Sequence, residues 1–77
     1  MYEHILLDGS KFVNILNVCP DLHPRTVVLN GVSKAYSMTG WRIGYCGGPS
    51  EVIAAMATIQ GQSTTNASSI SQQAAIG

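Results

Sequence analysis

Two short apolar runs, separated by a link with no room for a crossover helix, constrain this chain's fold more than anything else in it. Thr26-Val27-Val28-Leu29 is largely aliphatic and β-branched and is bounded by Arg25 and Asn30, so it reads as a buried strand. Trp41 to Cys46 alternates and reads as a second strand. Period-two geometry would place Trp41, Ile43 and Tyr45 on one side and Arg42, Gly44 and Cys46 on the other. The link Asn30–Gly40 is short and glycine-bearing. Parallel strands need a crossover of a dozen or more residues, usually helical, so the spacing predicts an antiparallel return. Lys34 would then leave one strand end and Arg42 would enter the next at the same edge, facing one ligand.

Most lysines and arginines are solvated surface charges, but the setting of these two is specialised. A lysine just after a β-branched run sits at a strand end, where function collects in α/β proteins. Gly31, Gly40 and Gly44 would let the backbone turn tightly or approach a ligand closely. An amine is a nucleophile only when deprotonated, which desolvation or a second cation promotes. An arginine fork matches two phosphate oxygens. Schiff-base chemistry and a phosphate clamp therefore lie on one segment, and pyridoxal phosphate carries both an aldehyde and a phosphate. Gly31-Val32-Ser33-Lys34 lacks the spacing of a nucleotide-binding P-loop. Ser33 beside Lys34 is not the S-x-x-K of penicillin-recognising hydrolases.

The stretch Gly31 to Gly44 resembles the lysine attachment signature of the class I/II aminotransferases, which are fold-type I pyridoxal-phosphate enzymes. That signature has a small residue before the lysine, an apolar residue four after it, and Gly, Arg and Gly at six, eight and ten after it. Ser33, Met38, Gly40, Arg42 and Gly44 fit around Lys34. Asn30 to Tyr45 is especially similar to the bacterial subgroup that acts on aspartate and on aromatic or prephenate substrates. The likeness runs from Tyr2 to Ala75.

The resemblance implies an α/β fold, with residues 1–77 a fragment of the three-layer α/β/α large domain and an antiparallel strand after the Schiff-base lysine. It implies pyridoxal 5′-phosphate as cofactor and amino-group transfer between an amino acid and a 2-oxo acid. Homodimerisation of the whole protein follows from the same likeness, while the spacing of the two cysteines reads as a reduced, cytoplasmic chain. Lys34 would be the catalytic residue, bonding the cofactor and then moving a proton on the substrate. Arg42 would neutralise the phosphate and Ser33 would add a hydrogen bond to it. Tyr2 would hydrogen-bond the cofactor's phenolic oxygen. Several relatives have a phosphate-binding serine three before the lysine, where this chain has Gly31. Other parts that the family uses, among them the acid at the pyridine nitrogen and the arginine for the substrate carboxylate, fall outside these residues. The isolated chain is therefore expected not to transaminate at a useful rate. Three alternatives share the signature or the segment. They are fold-type I relatives such as C–S lyases and cyclopropane-carboxylate synthases, aminotransferase-like transcription regulators, and a non-catalytic structural remnant.

Composition supports a piece of something larger. Seventy-seven residues build at most one small domain with a marginal core. Charged residues make up only 10% at zero net charge, which is sparse for the surface of an independent small domain. Nucleic-acid binding would need a basic patch, and no apolar run approaches membrane-spanning length. The start, Met1-Tyr2-Glu3-His4, does not resemble a signal peptide. Cys19 and Cys46 share no C-x-x-C spacing and are expected to be reduced, and His4 and His23 have no metal-ligand spacing.

The remaining expectations concern local structure. Tyr2–Leu7 reads as the tail of a strand, and Asp8-Gly9 as a turn. Lys11–Pro24 reads as an irregular connection with a helical turn near Asp21-Leu22-His23. Ser50 is expected to cap an amphipathic helix over Glu51–Gln60, with Met56 as core filler and Gly61 as the stop. Gln62–Ser68 reads as a loop, near the dimer interface by resemblance. Ser69-Ile70-Ser71-Gln72 reads as a capping box opening a last helix.

Overall fold

A computed structural model describes all residues, 1–77. In chain order it contains helix α1 (Ile15–Val18), a 3-10 helix (Pro20–Arg25), strand β1 (Val28–Gly31), a 3-10 turn (Thr39–Trp41), strand β2 (Gly44–Gly47), and helices α2 (Ser50–Gly61) and α3 (Ser69–Ile76).

The two strands pair antiparallel, as the short link requires. Val28 lies opposite Gly47, Leu29 opposite Cys46, Asn30 opposite Tyr45 and Gly31 opposite Gly44. Both strands start later than the sequence patterns suggested. Thr26 is held back by the preceding 3-10 helix: its hydroxyl donates to Leu22 O at 2.7 Å and its amide to His23 O at 3.4 Å. Extended pairing therefore begins two residues further on. Trp41 donates its amide to Met38 O at 3.2 Å within the 3-10 turn, and Arg42 follows in the left-handed region at φ 56 and ψ 49. Neither residue is in β2, so Arg42 does not share a strand face with Gly44 and Cys46. The alternation was real only from residue 44 onwards.

Close approach explains two of the glycines. A Cβ on Gly31 would meet Ile43 O at 3.0 Å, and one on Gly44 would meet Asn30 O at 3.4 Å. Gly40, in contrast, has open space around it and no positive φ, so no turn or close contact requires glycine there.

Other local expectations are corrected in the same way. Tyr2–Leu7 forms a turn, closed by the Ile5 amide on Tyr2 O at 2.9 Å, and not a strand. The connection Lys11–Pro24 does contain the helical turn, and also α1. Asn14 caps α1, accepting from the Leu16 and Asn17 amides, while Asn17 Oδ1 accepts from the Asn14 amide in return. That reciprocal box uses two asparagines where the usual signature has Ser/Thr and Glu/Gln. Ser50 is the first residue of α2 and not its cap, because Pro49 takes the cap position without a side-chain bond. The helix does end at Gly61. The capping box at α3 is absent: Ser68 holds the cap position, and Gln72 Nε2 donates to Ala67 O at 2.8 Å.

Little is buried. Val32 is the one buried large apolar side chain, at 8% exposure, while Leu29 in β1 is 73% exposed and Met56 in α2 is 40% exposed. The strands are therefore not buried within these 77 residues, and Met56 lines an open groove with Leu29 and Cys46 instead of filling a core. The end of α3 lies over Val32, Tyr36 and Tyr45, with Ala74 and Ile76 walling the hollow between them. Both cysteines are free. No helix is long and apolar enough to cross a membrane.

Candidate functional site

The twelve residues between the strands form two local turns, and these position the two cations. Beyond the last ladder pair, the Val32 amide still reaches Ile43 O at 3.3 Å. The chain then makes one helical turn: Tyr36 N donates to Val32 O at 3.2 Å, and Met38 N to Ser33 O at 3.1 Å. Ser37, at φ 54, reverses the chain inside that second bond. A left-handed residue enclosed by a six-to-one hydrogen bond is the Schellman way of stopping a helix. Lys34 thus sits in a helical turn that is stopped after a single revolution.

Arg42 reaches the same region by a strained backbone. A non-glycine residue in the left-handed region costs about 1–2 kcal/mol. Here it redirects the chain from the 3-10 turn into β2. The guanidinium makes one hydrogen bond, Nη1 to Thr39 O at 3.2 Å. It has no carboxylate partner, since the one close contact of a basic side chain with a carboxylate is His4 Nε2 to Glu3 Oε1 at 3.8 Å. Most of its donor fork and all of its charge remain uncommitted.

Ser33 and Arg42 meet in one hollow of about 230 Å³ at the end of the ladder, walled also by Met1, Asn30 and the backbone of Gly31 and Gly44. No aspartate or glutamate lines it, and Arg42 is the one charged side chain in its wall. Lys34, next after Ser33, is exposed and stands outside that wall. Tyr2 is 59% exposed and follows Met1, which is part of the wall. Of the four expected site residues, the structure brings Ser33 and Arg42 together and leaves Lys34 and Tyr2 as their immediate chain neighbours or those of Met1. Met1 and Asn30 had no assigned part in the sequence reading, and Asn30 stood only as a strand boundary. Nothing local marks them, because the hollow joins segments distant in sequence.

Elsewhere the titratable groups form no second site. No three His, Cys, Asp or Glu side chains cluster to hold a metal. Asp8 is held below its ordinary value of 3.8 by the Ser10 hydroxyl and then by the Ser10 amide, which donates to its Oδ1 at 3.0 Å. That is a turn-forming bond in an exposed loop.

Comparison with known proteins accords with this geometry. A sequence model of the family described as aminotransferase class I and II matches residues 1–77. The aspartate/prephenate aminotransferase of Nitrosomonas europaea is 75% identical over 75 residues, which is 97% of this chain and 19% of that protein. An aspartate aminotransferase of Rhizobium meliloti is 59% identical over 76 residues, or 99% of this chain and 18% of its own length. The crystal structure of the aspartate aminotransferase from Rhizobium meliloti superposes with a TM-score of 0.92 at 59% identity, covering 99% of this chain and 19% of that one. The chain spans about one-fifth of the length of these relatives. The match of the family's sequence model to all 77 residues shows that this chain belongs to the class I and II aminotransferases.

Proposed function

We propose that these residues are part of the cofactor-binding large domain of a pyridoxal-phosphate-dependent aminotransferase, and that the whole protein moves an amino group between an amino acid and a 2-oxo acid. The proposed substrates are aspartate or glutamate, with aromatic amino acids or prephenate as well; the relatives named aspartate/prephenate aminotransferase support aspartate and prephenate among them. The observation that carries the reading is the hollow shared by Ser33 and Arg42, with no acid in its wall and Lys34 adjoining it. A dianionic phosphate suits such a wall, because a paired guanidinium–phosphate contact needs an uncommitted fork and no competing carboxylate.

The residues divide the work as follows. Arg42 holds the phosphate by charge and by paired N–H bonds, and Ser33 adds one hydroxyl donor. Lys34 would hold the cofactor at its aldehyde through its amine and would carry a proton at the substrate Cα. Tyr2 donates to the phenolic oxygen. When bound, pyridoxal phosphate supplies the electron sink that makes that Cα–H bond acidic. Lys34 is exposed in this chain, so exclusion of water from its amine falls to parts of the protein outside residues 1–77. In the whole protein, loop 62–68 would lie near the homodimer interface. Accordingly, the isolated chain is expected to show no useful turnover in a coupled transaminase assay. A cytoplasmic location completes the proposal.

The test uses a full-length chimera, in which these 77 residues replace their counterpart in the Nitrosomonas europaea protein. The chimera mixed with pyridoxal phosphate should show an absorbance band in the visible to near-ultraviolet that Lys34→Ala removes. Arg42→Ala should weaken cofactor binding roughly 10- to 100-fold, the loss of charge-assisted hydrogen bonds worth about 1.5–3 kcal/mol. A band that survives Lys34→Ala unchanged would overturn the assignment.

A further inference from the structure

The Tyr2 segment is tied to the lysine turn by one polar clasp. Asn30 Nδ2 donates to Glu3 Oε1 at 2.9 Å, across 27 positions of sequence and partly shielded from water. Every other side-chain hydrogen bond in the chain joins residues within five positions of each other. The clasp therefore does something the local turns do not: it connects the first residues to the end of β1. Its neighbours reinforce it. His4 lies edge-on to Tyr36 with ring centroids 5.9 Å apart, two residues past Lys34, and Met1 walls the hollow of Ser33 and Arg42.

Asparagine suits position 30 because both ends of its amide are used. Its Oδ1 accepts from the Gly31 amide at 2.8 Å, at the last ladder pair, while its Nδ2 serves Glu3. An aspartate there could still accept from Gly31 but would face Glu3 as a second carboxylate, and like charges at that distance repel. Glutamine at position 3 opposite that aspartate would restore a donor–acceptor pair with the roles exchanged.

We infer that Glu3 and Asn30 are positioning residues: their clasp, with His4 against Tyr36, holds the Tyr2 segment in register with the turn that carries Ser33 and Lys34. The inference rests on the cofactor-site reading above for its consequence, though not for its geometry. With the clasp released, the segment that carries Tyr2 loses its one side-chain hydrogen bond to β1. A donor lost from the phenolate raises the pH at which the deprotonated form appears.

The experiment compares Asn30→Asp, Glu3→Ala and the exchange variant Glu3→Gln/Asn30→Asp in the full-length chimera. Two readouts are taken. One is amide hydrogen exchange of residues 1–7 without cofactor. The other is the pH midpoint of the bound cofactor's absorbance band. Asn30→Asp and Glu3→Ala should each speed exchange about tenfold, the release of a charge-assisted bond, and should move the midpoint upward. The exchange variant should return both to within about twofold of the parent. Either single variant behaving as the parent, or an exchange variant that stays as perturbed as Asn30→Asp, overturns the clasp. Glu3→Ala alters an N-terminal side chain outside the ladder, so it remains decisive if Asn30→Asp disturbs folding. The exchange readout needs no cofactor. A chimera without a Lys34-dependent band but with clasp-dependent exchange would reject the cofactor reading and keep the geometry.

Discussion

Alanine at Gly31 is expected to loosen the end of the ladder on which Ser33 and Lys34 depend. The added Cβ would lie 3.0 Å from Ile43 O and 3.5 Å from the Gly44 Cα, both backbone atoms that no rotamer change can move. Relief to an ordinary contact of 3.4 Å needs a displacement of about 0.4 Å in the backbone at Ile43, just before β2. The same oxygen accepts the Val32 amide at 3.3 Å, already beyond the usual range of about 2.7–3.2 Å. Crowding a packed site costs about 1–3 kcal/mol, and losing the Val32 bond about 1 kcal/mol. Alanine returns about 0.4–1 kcal/mol by restricting the unfolded chain, because Gly31 does not adopt a positive φ. The net is a local destabilisation of about 1–3.5 kcal/mol.

The assay is amide hydrogen exchange of residues 30–36 in the full-length chimera, where this change reads as roughly 5- to 400-fold faster opening. Two controls fix the cause. Gly44→Ala meets its nearest atom at 3.4 Å and should open much less. Gly40→Ala meets nothing within 4 Å and should be neutral or slightly protective. Equal effects of Gly31→Ala and Gly40→Ala would refute the steric reasoning.

Arg42 occupies the left-handed region, so Arg42→Gly should melt no lower than Arg42→Ala, although glycine ordinarily costs about 0.5–1 kcal/mol more than alanine in regular structure. Thermal denaturation of the chimera checks the order. Asn14→Ala removes the acceptor of both the Leu16 and Asn17 amides and should cost about 1 kcal/mol, seen as about fivefold faster exchange over residues 15–19. The Asp8 carboxyl should titrate below 3.8 by NMR and move up towards that value in Ser10→Ala. Because the folded value is the lowered one, the Asp8–Ser10 turn contributes fully above the unfolded pKa. That contribution is lost as pH falls through the folded one.

The sequence by itself determined the strand direction, the existence of both long helices and the family. A link from Asn30 to Gly40 cannot hold a crossover, whatever surrounds it, and the spacing of Ser33, Lys34, Gly40, Arg42 and Gly44 is visible without coordinates. Tertiary structure decided where the strands start. The hold of Leu22 O on Thr26 and the left-handed turn at Arg42 override β propensity at both ends, and neither has a signature in residue type. It also decided that Ser33 and Arg42 share a hollow with Met1 and Asn30, and that Glu3 clasps Asn30. Periodicity reports only what a chain does with its near neighbours. A contact across 27 residues depends on where the intervening turns deliver the two groups, and that direction is set by backbone angles and close approach, not by composition.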